Sequence, residues 1–209
     1  LTIHNADCME VMSQYEDNYF DLAVVDPPYG IGIDGQKESL KGKKSDRKKH
    51  VAKGWDSKPP SKEYFDELHR ISKNCIIWGA NYFLHALTEN HKGWIIWDKA
   101  QHGLTMSDCE LSYSTFDKPT RIFTQNRCIL RQEGTIHPTQ KPVKLYNWIY
   151  KNYAQEGQKI LDTHLGSGSN AISAHYAKMG EFVGCELDKD YYEASIKRIY
   201  NETRQLELF

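Results

Sequence analysis

The stretch Leu22-Ala23-Val24-Val25-Asp26-Pro27-Pro28-Tyr29 decides the fold. Four consecutive apolar residues read as a strand buried on both faces, the pattern of a parallel sheet covered by helices. In open α/β sheets, ligands bind in the crevice outside the carboxyl ends of the strands, which is where residues 26–29 fall. The two prolines donate no N–H and restrict the backbone, leaving carbonyls free as fixed acceptors. Asp26 adds an ionised acceptor and Tyr29 a flat face for stacking. Together they suit a planar ring bearing an exocyclic NH₂ group, such as adenine or cytosine. Pro27-Pro28 alone would equally fit a strand ending in a proline turn, so the neighbouring motifs carry the choice.

Outward from this strand, β-type and α-type patterns alternate. Ser61 is placed to cap a helix with Tyr64, Phe65, Leu68 and Ile71 on one face. Cys75-Ile76-Ile77-Trp78 and Trp94-Ile95-Ile96-Trp97 read as buried strands, and 109–115 alternates as a half-buried one. Pro142 opens a helix with Leu145, Trp148 and Ile149 on its buried face. Then follow a strand at 159–161, a helix from Ser169 to Lys178, a strand at 182–185, and a last helix capped by Asp188 with Tyr192, Ile196, Ile199 and Tyr200 on one face. This alternation predicts an α/β fold, a mostly parallel twisted sheet with helices on both faces. Residues 31–60 lack hydrophobic periodicity and read as one long loop, a length usually tied to function or disorder.

A chain of 209 residues suffices for one such domain with a full core. The formal net charge of −1 points to no partner, but its distribution does. Residues 37–53 carry eight Lys or Arg against Glu38 and Asp46, a net +6, leaving −7 for the remainder. A basic tract containing Lys43, Lys44, Arg47, Lys48 and Lys49, just after Tyr29, predicts contact with a polyanion. Five scattered cysteines with no Cys-x-x-Cys pair argue against a disulfide framework or zinc site and fit a reducing compartment. No apolar run approaches a membrane span, no secretory pattern is visible, and no metal is expected.

A second motif lies at Leu161-Asp162-Thr163-His164-Leu165-Gly166-Ser167-Gly168-Ser169. Gly166 and Gly168 follow a strand and open a helix, where glycines let the backbone turn sharply and approach a ligand. Glu186 closes the next strand about 20 residues on, the placement that binds ribose hydroxyls in nucleoside-binding βαβ units. Asn170 and Ala171 fall where the third glycine of the dinucleotide fingerprint would stand.

Asp26-Pro27-Pro28-Tyr29 resembles the catalytic motif of the amino-methyltransferases, which methylate exocyclic nitrogens with S-adenosylmethionine. Residues 161–169 resemble that family's cofactor loop, and His137-Pro138-Thr139-Gln140-Lys141-Pro142 the segment before its cofactor-side helix. Catalytic motif before cofactor loop is the permuted order of the β-type DNA methyltransferases. Ile77-Trp78-Gly79-Ala80-Asn81-Tyr82-Phe83 resembles a segment common in phage and prophage adenine methyltransferases. The resemblance implies a circularly permuted Rossmann-like fold, with Asp26, Pro27, Pro28 and Tyr29 catalytic. It places Asp162 near the methionine amino group, Thr139 and Lys141 beside the methionine moiety, Glu186 at the ribose and Asp7 near the adenine of the cofactor. His164 stands where the family usually has an aromatic, and Thr163 where it usually has proline.

The resemblance further implies adenine N6 in duplex DNA as the target, because relatives acting on cytosine N4 more often carry Ser in place of Asp26. Only about 20 residues separate the strand near 115 from His137, where larger relatives insert a target-recognition domain. The expectation is therefore a single catalytic domain over 1–209, with a short target read by 34–58 and 116–135. A solitary cytoplasmic enzyme of a bacterium or phage-infected cell, homodimeric by analogy, fits this pattern. Three alternatives stay open: cytosine-N4 DNA or RNA methylation, a nicotinamide-dependent oxidoreductase built on 160–186, and a nucleic-acid-binding module without activity.

Overall fold

The computed structural model describes residues 1–34, 53–87, 92–103, 107–126 and 135–204. Among the described residues eight strands form one sheet: β1 (Thr2–His4), β2 (Leu22–Val25), β3 (Cys75–Trp78), β4 (Trp94–Asp98), β5 (Cys109–Ser114), β6 (Arg121–Thr124), β7 (Lys159–Asp162) and β8 (Glu181–Cys185). Their spatial order is β1-β8-β7-β2-β3-β5-β4-β6. Seven share one direction, and β5 alone runs antiparallel to its neighbours β3 and β4.

The helices among the described residues are α1 (Cys8–Met12), α2 (Lys62–Ile71), α3 (Val143–Tyr153), α4 (Ser169–Tyr176) and α5 (Lys189–Arg204), with two 3₁₀ turns at Ala80–Tyr82 and Leu84–Ala86. Every residue of β2 and β3 is buried, as their continuous apolar runs require. Leu22, Val24, Ile76 and Trp78 point into the layer holding α3, α4 and α5. Ala23, Val25, Cys75 and Ile77 point into the layer holding α1 and α2. Each large side chain so buried contributes roughly 1.5–3 kcal/mol.

β2 connects to β3 through α2 on one face, while β7 connects to β8 through α4 on the other. The paired strands β2 and β7 therefore straddle the topological switch point, where a crevice opens at their carboxyl ends. Asp26 follows one strand and Asp162 ends the other.

The structure departs from the sequence reading in three places. β1 and α1 were not expected, and β6 lies within 116–135, a span read as target-binding loop. β6 is a short edge strand with Ile122 61% exposed, so it lacks an apolar face to betray it. In α5 the buried face is Tyr191, Ser195 and Ile199, whereas Ile196 and Tyr200 are exposed. Among the described residues no helix is long and apolar enough to cross a membrane, and no three His, Cys, Asp or Glu side chains are grouped to hold a metal.

Candidate active site

The carboxyl ends of β2, β7, β8 and β4, with the start of antiparallel β5, enclose a cleft of about 1030 Å³. Asp26 and Tyr29 line it, on either side of buried Pro27 and partly buried Pro28. The Tyr29 hydroxyl donates to Asp26 Oδ1 at 2.8 Å. Burial and the neighbouring Asp26 charge push the phenol well above its usual range, so it remains a donor. The Tyr29 ring stacks on Tyr82 at 5.1 Å with 17° between planes. Gly79 makes room for it: a Cβ there would sit 2.0 Å from Tyr29 Cε1, and φ is +71°.

Asp26 is held in a buried charge network. Lys141 Nζ lies 2.5 Å from Asp26 Oδ2, 3.0 Å from Glu110 Oε2 and 3.2 Å from the Tyr29 hydroxyl. Lys99 Nζ lies 2.9 Å from Glu110 Oε1. Burial pushes the Asp26 carboxyl up, and the Lys141 ammonium pulls against it. Burial acts likewise on Glu110, but Lys141 and Lys99 together outweigh it and bring the carboxyl down to about 2. Burial would lower Lys141, yet the two carboxylates hold it above the ordinary lysine value.

The second half of the cleft is the loop from β7 to α4. Gly168 has φ +75°, and a Cβ would meet Ile199 at 2.9 Å and Ser195 at 3.5 Å. The small Ser195 thus lets α5 pack against the loop. Glu186 braces the other side, accepting from Gly166 N–H at 2.8 Å and Asp188 N–H at 3.0 Å. Asn5 Nδ2 donates to the Glu186 and Leu187 carbonyls, tying β1 to this corner. Asp7 caps α1, accepting from Met9 N–H at 2.7 Å, and also lines the cleft.

Asp162 is buried, and burial raises it to about 7 despite bonds from Asn170 Nδ2 (2.9 Å) and His164 N–H (3.1 Å). Asn170 Nδ2 also reaches the Val24 carbonyl at 3.0 Å, while its Oδ1 accepts from Tyr150 at 2.5 Å. One side chain therefore joins β2, β7 and α3. Burial pushes His164 down to about 4, so it is a neutral ring, edge-on to Tyr64 at 5.5 Å and bonded to Thr163 Oγ1 at 2.9 Å.

The near end of the long loop forms the cleft's lip. Buried Asp56 accepts from Gly30 N–H (2.7 Å) and Ile33 N–H (2.8 Å), folding residues 30–33 back. Asp34 accepts from Lys53 N–H and Gly54 N–H. Lys53 Nζ bonds Asp188 and Asp190, bridging the lip to the start of α5. Trp55, His137 and Tyr191 form a run of ring contacts, and Thr139 donates to His137 Nδ1.

Of the twelve residues expected in the catalytic and cofactor motifs, ten (Asp7, Asp26, Pro27, Pro28, Tyr29, Thr139, Lys141, His164, Gly166 and Glu186) line this cleft; Asp162 lies behind it, bonded to His164 N–H, and Gly168 turns toward Ser195 and Ile199 of α5. Lys141 stands against Asp26. Lys43, Lys44, Arg47, Lys48 and Lys49 lie outside the described residues. Sequence reasoning missed Lys99, Glu110 and Asp56; Lys99 and Glu110 carried the signal of a charge directly after or inside a strand pattern, and Asp56, within the long loop, carried none.

This crevice on a mostly parallel, helix-covered sheet defines a Rossmann-like fold of the methyltransferase class. A family model described as DNA methylase, of the N6/N4 type, matches residues 88–197, more than half of the chain. The chain belongs to this DNA methylase family. It is 25% identical over 244 residues to the Type II methyltransferase M.HpaI of Haemophilus parainfluenzae, covering 94% of this chain and 73% of that protein. Among solved structures, the M1.HpyAVI–SAM complex superposes with a TM-score of 0.59 at 20% identity, covering 94% and 98% of the two chains. The cytosine-N4-specific PvuII DNA methyltransferase gives 0.60 at 10% identity, covering 97% and 91%.

Proposed function

We propose that this DNA methyltransferase transfers the methyl group of S-adenosylmethionine to N6 of an adenine flipped out of duplex DNA. The carrying observation is the acceptor Asp26, with Tyr29 folded against it, one strand away from the glycine loop. Adenine rather than cytosine is favoured by Asp, not Ser, at position 26. The family covers both amino targets, and a cytosine-N4 enzyme shares the fold, so the fold does not choose the base.

The cofactor half fits a cationic ligand. Asp7, Glu186 and Asp188 line it, with Asp162 beneath, and Lys53 is already engaged by Asp188 and Asp190. A pyrophosphate placed there would face carboxylates, which disfavours a nicotinamide dinucleotide. S-adenosylmethionine supplies an activated methyl group on a sulfonium that leaves without acid assistance.

The remaining difficulty is the nucleophile, whose lone pair is delocalised into the base. Asp26 and the Pro27 carbonyl accept from the exocyclic N–H groups, favouring a pyramidal nitrogen with its lone pair free. A carboxylate has about four acceptor positions, and Tyr29 and Lys141 occupy two of Asp26's. Tyr29 stacks on the base, repaying part of the few kcal/mol that flipping costs. Rate then follows from alignment and from electrostatics fixed in advance. No strong base is required, because the N–H acidifies as the N–C bond forms.

On this reading residues 1–209 act as one catalytic domain in the cytoplasm, and 34–58 with 116–135 read a short target. The basic tract supplies salt-dependent phosphate contacts, and a homodimer follows only by analogy with β-type relatives. The test uses tritiated S-adenosylmethionine, unmethylated duplex DNA and RNA in parallel reactions, and Asp26→Ala as control, followed by nucleoside separation. Label in N6-methyladenine, lost in the variant, is expected. Label in N4-methylcytosine would move the substrate to cytosine, and label only in RNA would overturn the DNA reading.

A further inference from the structure

We propose that Glu110 and Lys99 form a positioning pair that holds the Lys141 ammonium on Asp26 and keeps Asp26 an ionised acceptor for the amino group. This rests on the reading of Asp26 as that acceptor. Neither residue belongs to a motif near 26–29 or 161–169. Glu110 enters from β5, opposite Trp97 of β4, and Lys99 follows β4, fixed by its N–H on the Asp108 carbonyl at 2.9 Å.

The four charges form an alternating chain, Lys99–Glu110–Lys141–Asp26. Lys99 takes Glu110 Oε1 at 2.9 Å, Lys141 takes Oε2 at 3.0 Å, and Lys141 reaches Asp26 at 2.5 Å. Glu110 Oε2 also lies 3.4 Å from the Tyr29 hydroxyl. The side chains of Lys99 and Lys141 are 7% and 2% exposed, and those of Glu110 and Asp26 are 23% and 18% exposed, opening toward the cleft. Two cations and two anions cancel, which a buried group of this kind requires. Stability does not explain the chain of charges, because well-packed apolar residues in place of a buried ion network are often as stabilising or more so. What the network provides is a fixed potential at Asp26.

Each member acts with a definite sign. Lys141 favours the Asp26 carboxylate. Glu110 is a like charge that opposes it but anchors Lys141. Lys99 neutralises Glu110, so that the anchor neither repels Asp26 nor draws Lys141 away. The other groups facing Asp26 are Tyr29, Tyr146 of α3 and Asp162 of β7.

The test is the acid limb of the kcat/KM–pH profile for DNA methylation by the intact protein. Lys99→Met leaves Glu110 uncompensated and moves the limb to higher pH by roughly one unit. Glu110→Gln removes the like charge and moves it to lower pH, while kcat falls about tenfold because Lys141 loses its anchor. The double variant returns the limb to within about 0.3 unit of the parent. Thermal melting and cofactor titration on each variant identify any that misfolds, and Lys99→Gln and Glu110→Ala then replace it. Limbs that coincide with the parent in every folded variant overturn the proposal. Asp26→Asn with full activity would instead overturn the reading of Asp26 itself.

Discussion

Gly79→Ala isolates the pose of Tyr29 from the rest of the site. Gly79 has φ +71° and ψ 15°, a left-handed conformation that costs an alanine roughly 1–2 kcal/mol. The new Cβ would lie 2.0, 2.3 and 2.5 Å from Cε1, Cδ1 and Cζ of Tyr29. Ordinary carbon contacts begin near 3.5 Å, so the ring must retreat by about 1.5 Å. Overpacking of this kind costs roughly 1–3 kcal/mol. The total, about 2–5 kcal/mol, lies below the ~5–15 kcal/mol of a typical domain, so the variant folds. The displaced ring loses its 2.8 Å bond to Asp26 and its stack on Tyr82. A 1 Å misplacement costs on the order of 10²-fold in rate. The Gly166–Glu186 bond lies on the other lobe and is untouched. The expected signature is therefore a kcat/KM about 100-fold lower with cofactor affinity preserved. Filter-bound methylation of duplex DNA and calorimetric cofactor titration measure the two. Tyr29→Ala with Gly79→Ala should be no worse than Tyr29→Ala alone, since both act on one ring. Activity within about threefold of the parent, in a folded variant, refutes the reasoning.

Asn170→Ala strands the buried Val24 carbonyl, Asp162 and the Tyr150 hydroxyl, and should lower the urea unfolding free energy by about 3–4 kcal/mol; a loss under 1 kcal/mol would show that these bonds are replaced. For Asp162, the folded pKa of about 7 stands above the unfolded 3.8, so its protonation stabilises the cofactor-free protein fully below pH 3.8, a contribution lost as pH rises to about 7. Asp162→Asn should therefore exceed the parent in stability at pH 8 and flatten this part of the profile; parallel urea curves at pH 5 and pH 8 for both proteins would contradict it. Asp56→Ala frees the Gly30 and Ile33 N–H groups and should cost about tenfold in kcat/KM for DNA with cofactor affinity unchanged; unaltered kinetics would deny the lip any role.

What was legible in the sequence follows from how local each determinant is. β2, β3, β4, β7 and β8 announce themselves because the sheet interior demands apolar runs, and both ligand-facing motifs are short stretches at strand ends. β1 holds three residues, and β6 is an edge strand with no buried face, so neither produces a period to read. The face of α5 was misplaced in part: of Tyr192, Ile196, Ile199 and Tyr200 only Ile199 is buried, because the close approach of α5 to Gly168 selects Ser195 and Ile199. Lys99 and Glu110 are the harder case. Each is an ordinary charge in its own segment, and their pairing with Lys141 depends on strand direction. β5 runs antiparallel, so Glu110, near its start, stands at the carboxyl end of the sheet beside Asp26. Had β5 run with its neighbours, Glu110 would lie toward the opposite end, roughly 10 Å away at about 3.3 Å per residue. The reversal of one strand, which no residue in 109–114 encodes by its identity, is what converts scattered charges into a network around the acceptor.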